Sequence, residues 1–239
     1  FETYYSKEFS LGKMTTEEYV RSDDFEVIGV GVKVNDNPAD WYSGNDVHTF
    51  LNSLDYSDKA ILCHNTVFDG AILSWHYGIK PKFWFDTLSM ARPNYNVTVG
   101  GSLRNLSLYF KLGEKGTEVI DALGKRRSDF TPAELKAYGS YCLNDVDLTY
   151  RLFRKLKKGF PVSELLVIDQ TIRMYTEPLI ELDRFKLCDH LKAEQERKQK
   201  LLNKLGNGDP ELARSVLSSN PKFASLLKDL GAVVPTKIS

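Results

Sequence analysis

Lys59-Ala60-Ile61-Leu62-Cys63-His64-Asn65-Thr66-Val67-Phe68-Asp69 is the stretch on which the reading of this chain turns. Its apolar first half has strand length, and the polar break at His64-Asn65 leads into a helical pattern over about 67–77. A buried strand that feeds directly into a helix sets that helix's first turn at the carboxyl edge of a sheet. That edge is where open α/β sheets hold their ligands. Asp69 falls in the first turn. Alone it need only complement the helix dipole, and Asn65 alone need only cap the helix.

Outward from this junction the pattern alternates. Residues 25–34 and 39–43 read as strands, and 46–54 as a short helix. Phe83-Trp84-Phe85-Asp86 reads as a strand end, with Asp86 or Thr87 opening a helix. A further helix is expected over 102–110. Thr131-Pro132-Ala133-Glu134 combines a Thr cap, Pro at the first helical position and Glu at the third, so a long helix should start there and run to about 158. Strands alternating with helices predict an α/β domain over 1–160, with a mixed central sheet flanked by helices. Beyond Gly159-Phe160-Pro161 the pattern is purely helical, over 162–175 and 187–205. Residues 161–239 are therefore expected to form a helical extension.

The bulk properties set bounds on function. The 239 residues hold 32 Lys+Arg and 32 Asp+Glu, so the net charge is zero and a protein coated in positive charge is excluded. A local basic stripe beside an acidic site remains compatible with that balance. Cys63, Cys142 and Cys188 are far apart, without a CxxC pair, which fits a reducing cytoplasm and argues against a zinc ribbon. The four histidines lack metal-ligand spacing. Gly29 and Gly31 start a G-x-G without its third glycine and lie in a strand, so a dinucleotide fingerprint does not hold. No apolar run has the ~18–20 residues that span a membrane.

Acidic residues recur at element ends. Glu2 stands in a strand-like start. Tyr141 and Asp145, four apart in the long helix, share a face with Leu148 and Leu152. A carboxylate on such an apolar stripe needs a partner, and a cation is one. Glu2, Asp69 and Asp145 come from separate elements. Their oxygen donors suit hard divalent cations, two of which can clamp the attacking and leaving oxygens of a phosphodiester.

These segments resemble the three motifs of DEDDy proofreading exonucleases, most closely those of phage and bacterial family A DNA polymerases. Phe1-Glu2-Thr3 is similar to the end of the first motif, whose leading Asp would sit immediately before Phe1. His64-Asn65-Thr66-Val67-Phe68-Asp69 is similar to the shorter form of the second, and Tyr141-Cys142-Leu143-Asn144-Asp145 to the third. Phe85-Asp86-Thr87-Leu88, Ser102-Leu103-Arg104-Asn105-Leu106 and Glu114-Lys115-Gly116-Thr117-Glu118-Val119 resemble connecting segments in phage members. Ser219-Asn220-Pro221-Lys222-Phe223-Ala224 and Pro235-Thr236-Lys237-Ile238-Ser239 resemble the passage into the polymerase domain. Residues 4–24 are longer than the family's link between its first two strands.

The resemblance implies an RNase H-like exonuclease fold and proofreading 3′→5′ hydrolysis of DNA. Nucleoside 5′-monophosphates would be released with two Mg2+ ions, which Mn2+ can replace. It implies Glu2, Asp69 and Asp145 as metal ligands, with Tyr141 orienting water. Thr3, Asn65 and Phe68 would line the terminal nucleotide, Phe68 by stacking. Lys111, Lys115, Lys125, Arg126 and Arg127 would contact phosphates. Arg151, Arg154, Lys155, Lys157 and Lys158 are read instead as the exposed end of the long helix, complementing its dipole. The implied partners are single-stranded or frayed DNA 3′ ends and the polymerase domain of the same protein, with the domain a monomer in the cytoplasm. An RNA exonuclease of the same superfold and a non-catalytic DNA-binding scaffold are the alternatives.

Overall fold

The computed structural model describes residues 1–114 and 122–234. The architecture is mixed α/β. The chain forms two compact units, Phe1–Leu179 and Ile180–Ser239. In the first unit, β1 (Glu2–Thr3), α1 (Thr16–Arg21), β2 (Val27–Lys33), β3 (Ala39–Ser43), α2 (Asn45–Asn52) and β4 (Ala60–Cys63) come first. They are followed by α3 (Thr66–Tyr77), β5 (Phe83–Asp86), α4 (Thr87–Tyr95), α5 (Leu103–Tyr109), α6 (Pro132–Leu156) and α7 (Val162–Thr176).

The strands make two ladders rather than the single mixed sheet expected. β1, β2 and β3 form an antiparallel sheet in that order, and β4 pairs with β5 in parallel. β1 has only two residues, and its register against β2 shifts between Glu2 and Thr3. So short and irregular a strand does not extend a ladder to a further neighbour.

The β4–β5 pair is held at its carboxyl end by one buried carboxylate. Asp86 Oδ1 accepts the backbone N–H groups of Asn65 (2.8 Å), Thr66 (3.2 Å) and Leu88 (3.1 Å). Its Oδ2 accepts from Ser89 N–H (3.1 Å) and Ser89 Oγ (2.6 Å). One side chain therefore satisfies donors at the starts of both α3 and α4, which their helices leave unpaired. Thr66 Oγ1 donates to the Phe85 carbonyl (2.7 Å) and Thr87 Oγ1 to that of Cys63 (3.3 Å), tying the two strand ends crosswise.

α6 starts as its sequence predicts. The Thr131 side chain accepts from Glu134 N–H, and the Glu134 carboxylate accepts in return from Thr131 N–H (2.8 Å). The helix lies across β2 and β3, where Trp41 accounts for two glycines at once. A Cβ at Gly29 would come within 2.3 Å of the Trp41 ring, and one at Gly139 within 2.7 Å. The two glycines leave room for the indole between strand and helix. At Gly31 a Cβ would stand 3.0 Å from Cys142 Sγ and from Val146 Cγ2, so this glycine too lets α6 lie close to the sheet.

The pattern change at 159–161 is a break between helices and not the edge of the compact unit, which runs on to Leu179. α7 covers the open edge of β5. Asp169 Oδ1 accepts from Trp84 N–H (2.8 Å), and Arg173 Nη2 donates to the carbonyls of Pro81 (2.8 Å) and Lys82 (2.9 Å). An uncovered edge would leave such groups unpaired. Ile172 is buried with Val30, Leu73 and Trp84 in one core cluster. Residues 4–24, longer than expected, hold α1, whose Thr15 and Glu18 form a capping box. Tyr19 and Val20 of α1 pack with Phe9, Ala71 and Ile72.

The second unit contains α8 (Arg184–Leu205), α9 (Pro210–Leu217) and α10 (Asn220–Asp229). α9 packs on both neighbours, with Leu202 and Ala213 buried. It is helical, as read from sequence. Among the described residues no helix is long and apolar enough to cross a membrane.

Asp86→Ala should lower unfolding free energy by roughly 3–5 kcal/mol, because at least two buried N–H groups lose their acceptor at about 1–3 kcal/mol each. Asp86→Asn, which keeps one carbonyl oxygen, should lose less. Urea unfolding of the two variants measures the difference.

Candidate functional site

Three elements bring carboxylates together at the amino end of β1. Glu2 sits on β1 opposite Gly29. Asp69 lies in the first turn of α3. Asp145 lies midway along α6, one of its carboxylate oxygens fully buried. The buried Phe1 amine donates to Asp69 Oδ1 at 2.8 Å and forms an ion pair with it. Burial, the largest influence, works against the ammonium. Asp69, Cys142 and Glu2 outweigh it, and its pKa rises from 8.0 to about 11.

Glu2 is shifted upward from the ordinary carboxylate value, first by burial and further by the nearby Asp145 charge. The Phe1 ammonium and hydrogen bonding from Tyr138 and Cys142 offset part of that shift. Burial and the Glu2 charge push the Tyr138 phenol far upward, so it stays protonated and a donor. Cys142 is pushed up to about 12, mainly by burial, and Cys63 is raised for the same reason. Neither thiol has the depressed pKa of a nucleophile.

Tyr138 is the functional candidate that sequence reasoning missed. The signal was present: Tyr138, Cys142 and Asp145 follow at i, i+4 and i+7 on one face of α6. Tyr138 is buried and stacked on Phe130, with ring centroids 5.4 Å apart. Tyr141, which the sequence singled out, packs beside the cluster of Ile28, Phe130 and Tyr138.

The remaining expected residues are distributed differently. Asn65 takes a left-handed conformation (φ 71°) at the start of α3, where its N–H goes to Asp86 and its side chain makes no capping bond. Phe68 is half-buried against the α1 cluster, its ring 6.2 Å from that of Tyr19. Thr3 is buried, with Oγ1 2.8 Å from the Tyr19 hydroxyl, which in turn donates to the Tyr4 carbonyl. Lys125 pairs with Glu134 at 3.0 Å. Arg126 pairs with Glu26 and Asp24, each at 3.1 Å, and lies 4.2 Å over the Tyr4 ring. Arg127 Nε donates to Ser43 Oγ at 2.9 Å. These basic groups are thus engaged by protein partners. Lys115, with the rest of 115–119, and 235–239 lie outside the described residues.

Among the described residues no three His, Cys, Asp or Glu side chains are grouped as a metal site. In donor chemistry carboxylate oxygens such as those of Glu2, Asp69 and Asp145 suit a hard divalent cation. Compared with family models, curated proteins and solved structures, the chain finds no match.

The amine has a testable consequence. Its folded pKa lies above its unfolded value, so its contribution to stability is complete below pH 8 and is lost as the pH rises toward 11. Urea midpoints of this chain should fall across that window more steeply than those of a version carrying one extra glycine before Phe1. Separately, Tyr138→Phe removes a donor from the half-buried Glu2 carboxylate and should cost about 1 kcal/mol on urea unfolding.

Proposed function

We propose that this chain is a 3′→5′ exonuclease domain of RNase H-like fold, acting on single-stranded or frayed DNA 3′ ends as the proofreading part of a family A DNA polymerase. The observation that carries the reading is the nearness of Glu2 on β1 to Asp145 on α6, with Asp69 placed in the first turn of α3. The order of the motifs along the chain and the polymerase-like carboxyl end support it further.

In this reading Glu2 and Asp145 would hold one Mg2+ and Asp69 a second, with Mn2+ as a substitute. When bound, such ions supply Lewis-acid activation of water and neutralise charge at the leaving 3′ oxygen. Tyr138 keeps the Glu2 carboxylate oriented by hydrogen bonding. Tyr141 orients water toward the scissile phosphate, an entropic contribution of position. Partial burial of Glu2 strengthens its electrostatic contacts. Asn65 and Phe68, beside Asp69 on the same junction, line the terminal nucleotide. The domain would act as a cytoplasmic monomer, joined to its polymerase.

The alternative reading is a non-catalytic DNA-binding domain. Incubating 5′-labelled single-stranded DNA with Mg2+, Mn2+ or chelator separates the two readings. The chain is compared with a version bearing Asp before Phe1 and with Asp145→Ala of that version. The expected result is a metal-dependent ladder from the 3′ end, reduced at least a hundredfold by Asp145→Ala. Absence of a ladder from the folded, Asp-bearing version would sink the catalytic reading. Faster cleavage of a matched RNA than of DNA would redirect it to RNA.

A further inference from the structure

The last turns of α6 carry a second feature. Arg151, Arg154 and Lys155 join Lys111 and Leu112, just beyond α5, in lining an open cleft of about 320 Å3. Its two sides are fixed to each other: Arg151 Nη1 donates to the Leu112 carbonyl at 2.9 Å. Lys111 stands at φ 54° in a tight turn, and the next N–H, of Leu112, returns to the Ser107 carbonyl at 2.9 Å.

The charges there are only partly balanced. Arg151 pairs with Asp147 at 2.7 Å, an acid also 3.4 Å from Lys33. Arg154 pairs with Asp36 at 3.3 Å, both side chains more than half exposed. Among the described residues Lys111 and Lys155 have no acidic partner. Exposed pairs of this kind are worth about 0–1 kcal/mol and exchange readily for a stronger anion. Complementing the dipole of α6 accounts for Arg154 and Lys155 in its last turn. It does not account for Lys111, which is outside the helix yet faces the same cleft.

We propose that this cleft binds backbone phosphates of a single nucleic-acid strand, upstream of the end held at the carboxylates. The inference rests on the exonuclease reading for the direction of the strand. Arg forks and Lys point charges at an open, cationic surface are the groups that contact phosphates without reading sequence. Asp145 lies on the same helix, six residues before Arg151 and ten before Lys155. At about 1.5 Å per residue, the cleft is roughly 9–15 Å along the axis from the carboxylate. At about 100° per residue, Arg151 and Lys155 also lie roughly 80–120° around α6 from Asp145, so a strand whose last phosphodiester lies at Asp145 brings earlier phosphates to the cleft by following the helix surface round.

The test is equilibrium binding of the full chain to a fluorescein-labelled oligo-dT, by anisotropy in chelator, across a salt series. Lys111→Ala/Lys155→Ala removes two cations that pair with no carboxylate among the described residues, and its fold is checked by urea midpoint. The slope of log K against log salt should shrink by about 1.4, at roughly 0.7 per phosphate contact. Lys111→Arg/Lys155→Arg should retain it. An unchanged slope in the folded double-alanine variant overturns the inference, as does absence of oligonucleotide binding by the parent chain. Binding of inorganic phosphate that competes fully with the oligonucleotide also overturns it in favour of a small-anion site. The magnesium ladder of the same proteins keeps the two readings apart: a reduced slope without a ladder supports the cleft and sinks catalysis, whereas a ladder with an unchanged slope sinks the cleft alone.

Discussion

The Asp86 carboxylate, buried where β5 ends, accepts from the first backbone donors of α3 and of α4 at once. The rest of the site depends on this constraint. Helix starts carry unpaired N–H groups, and two of them can meet at one buried point only if a shared acceptor is present. The parallel pairing of β4 with β5 brings Cys63 level with Asp86, so the acceptor stands beside the junction that leads into α3. Asp69 is then delivered, one turn into α3, to the Phe1 amine and the Glu2 strand.

The second constraint is steric. α6 can bring Asp145 to Glu2 only by lying close on β2, and side chains at Gly29, Gly31 or Gly139 would hold it away. Trp41 occupies the space that Gly29 and Gly139 leave, so strand and helix share one indole. The outcome sets Asp145 near Glu2, whose pKa is raised by burial and by that charge, with Tyr138 donating to Glu2. Burial and like-charge proximity both favour either a proton or a cation there.

The basic residues divide in the same way by position. Arg126 and Lys125, which sequence alone marks as phosphate contacts, are folded against Asp24, Glu26 and Glu134, more than eighty residues away in two of those three cases. Arg154 and Lys155, which sequence reads as the solvated end of a helix, lie with Lys111 along one cleft. Sequence distance gives no warning of either arrangement, because ion pairing depends on which elements the core brings into contact.

Much of the local structure was legible in the sequence. The Thr131–Glu134 capping box, the helix start at Asp86, the strand over Ala39–Ser43 and the junction at Asn65 all follow from interactions spanning a few residues, which side-chain chemistry fixes without knowledge of the fold. The mixed α/β character followed from their alternation. Tertiary structure alone decided the division into two ladders, the inclusion of α7 in the first unit, the double duty of Asp86 and the choice of Tyr138 as the phenol at Glu2. Each of these depends on contacts between residues far apart in the chain, where burial and the need to satisfy backbone donors and edges determine which partner is used.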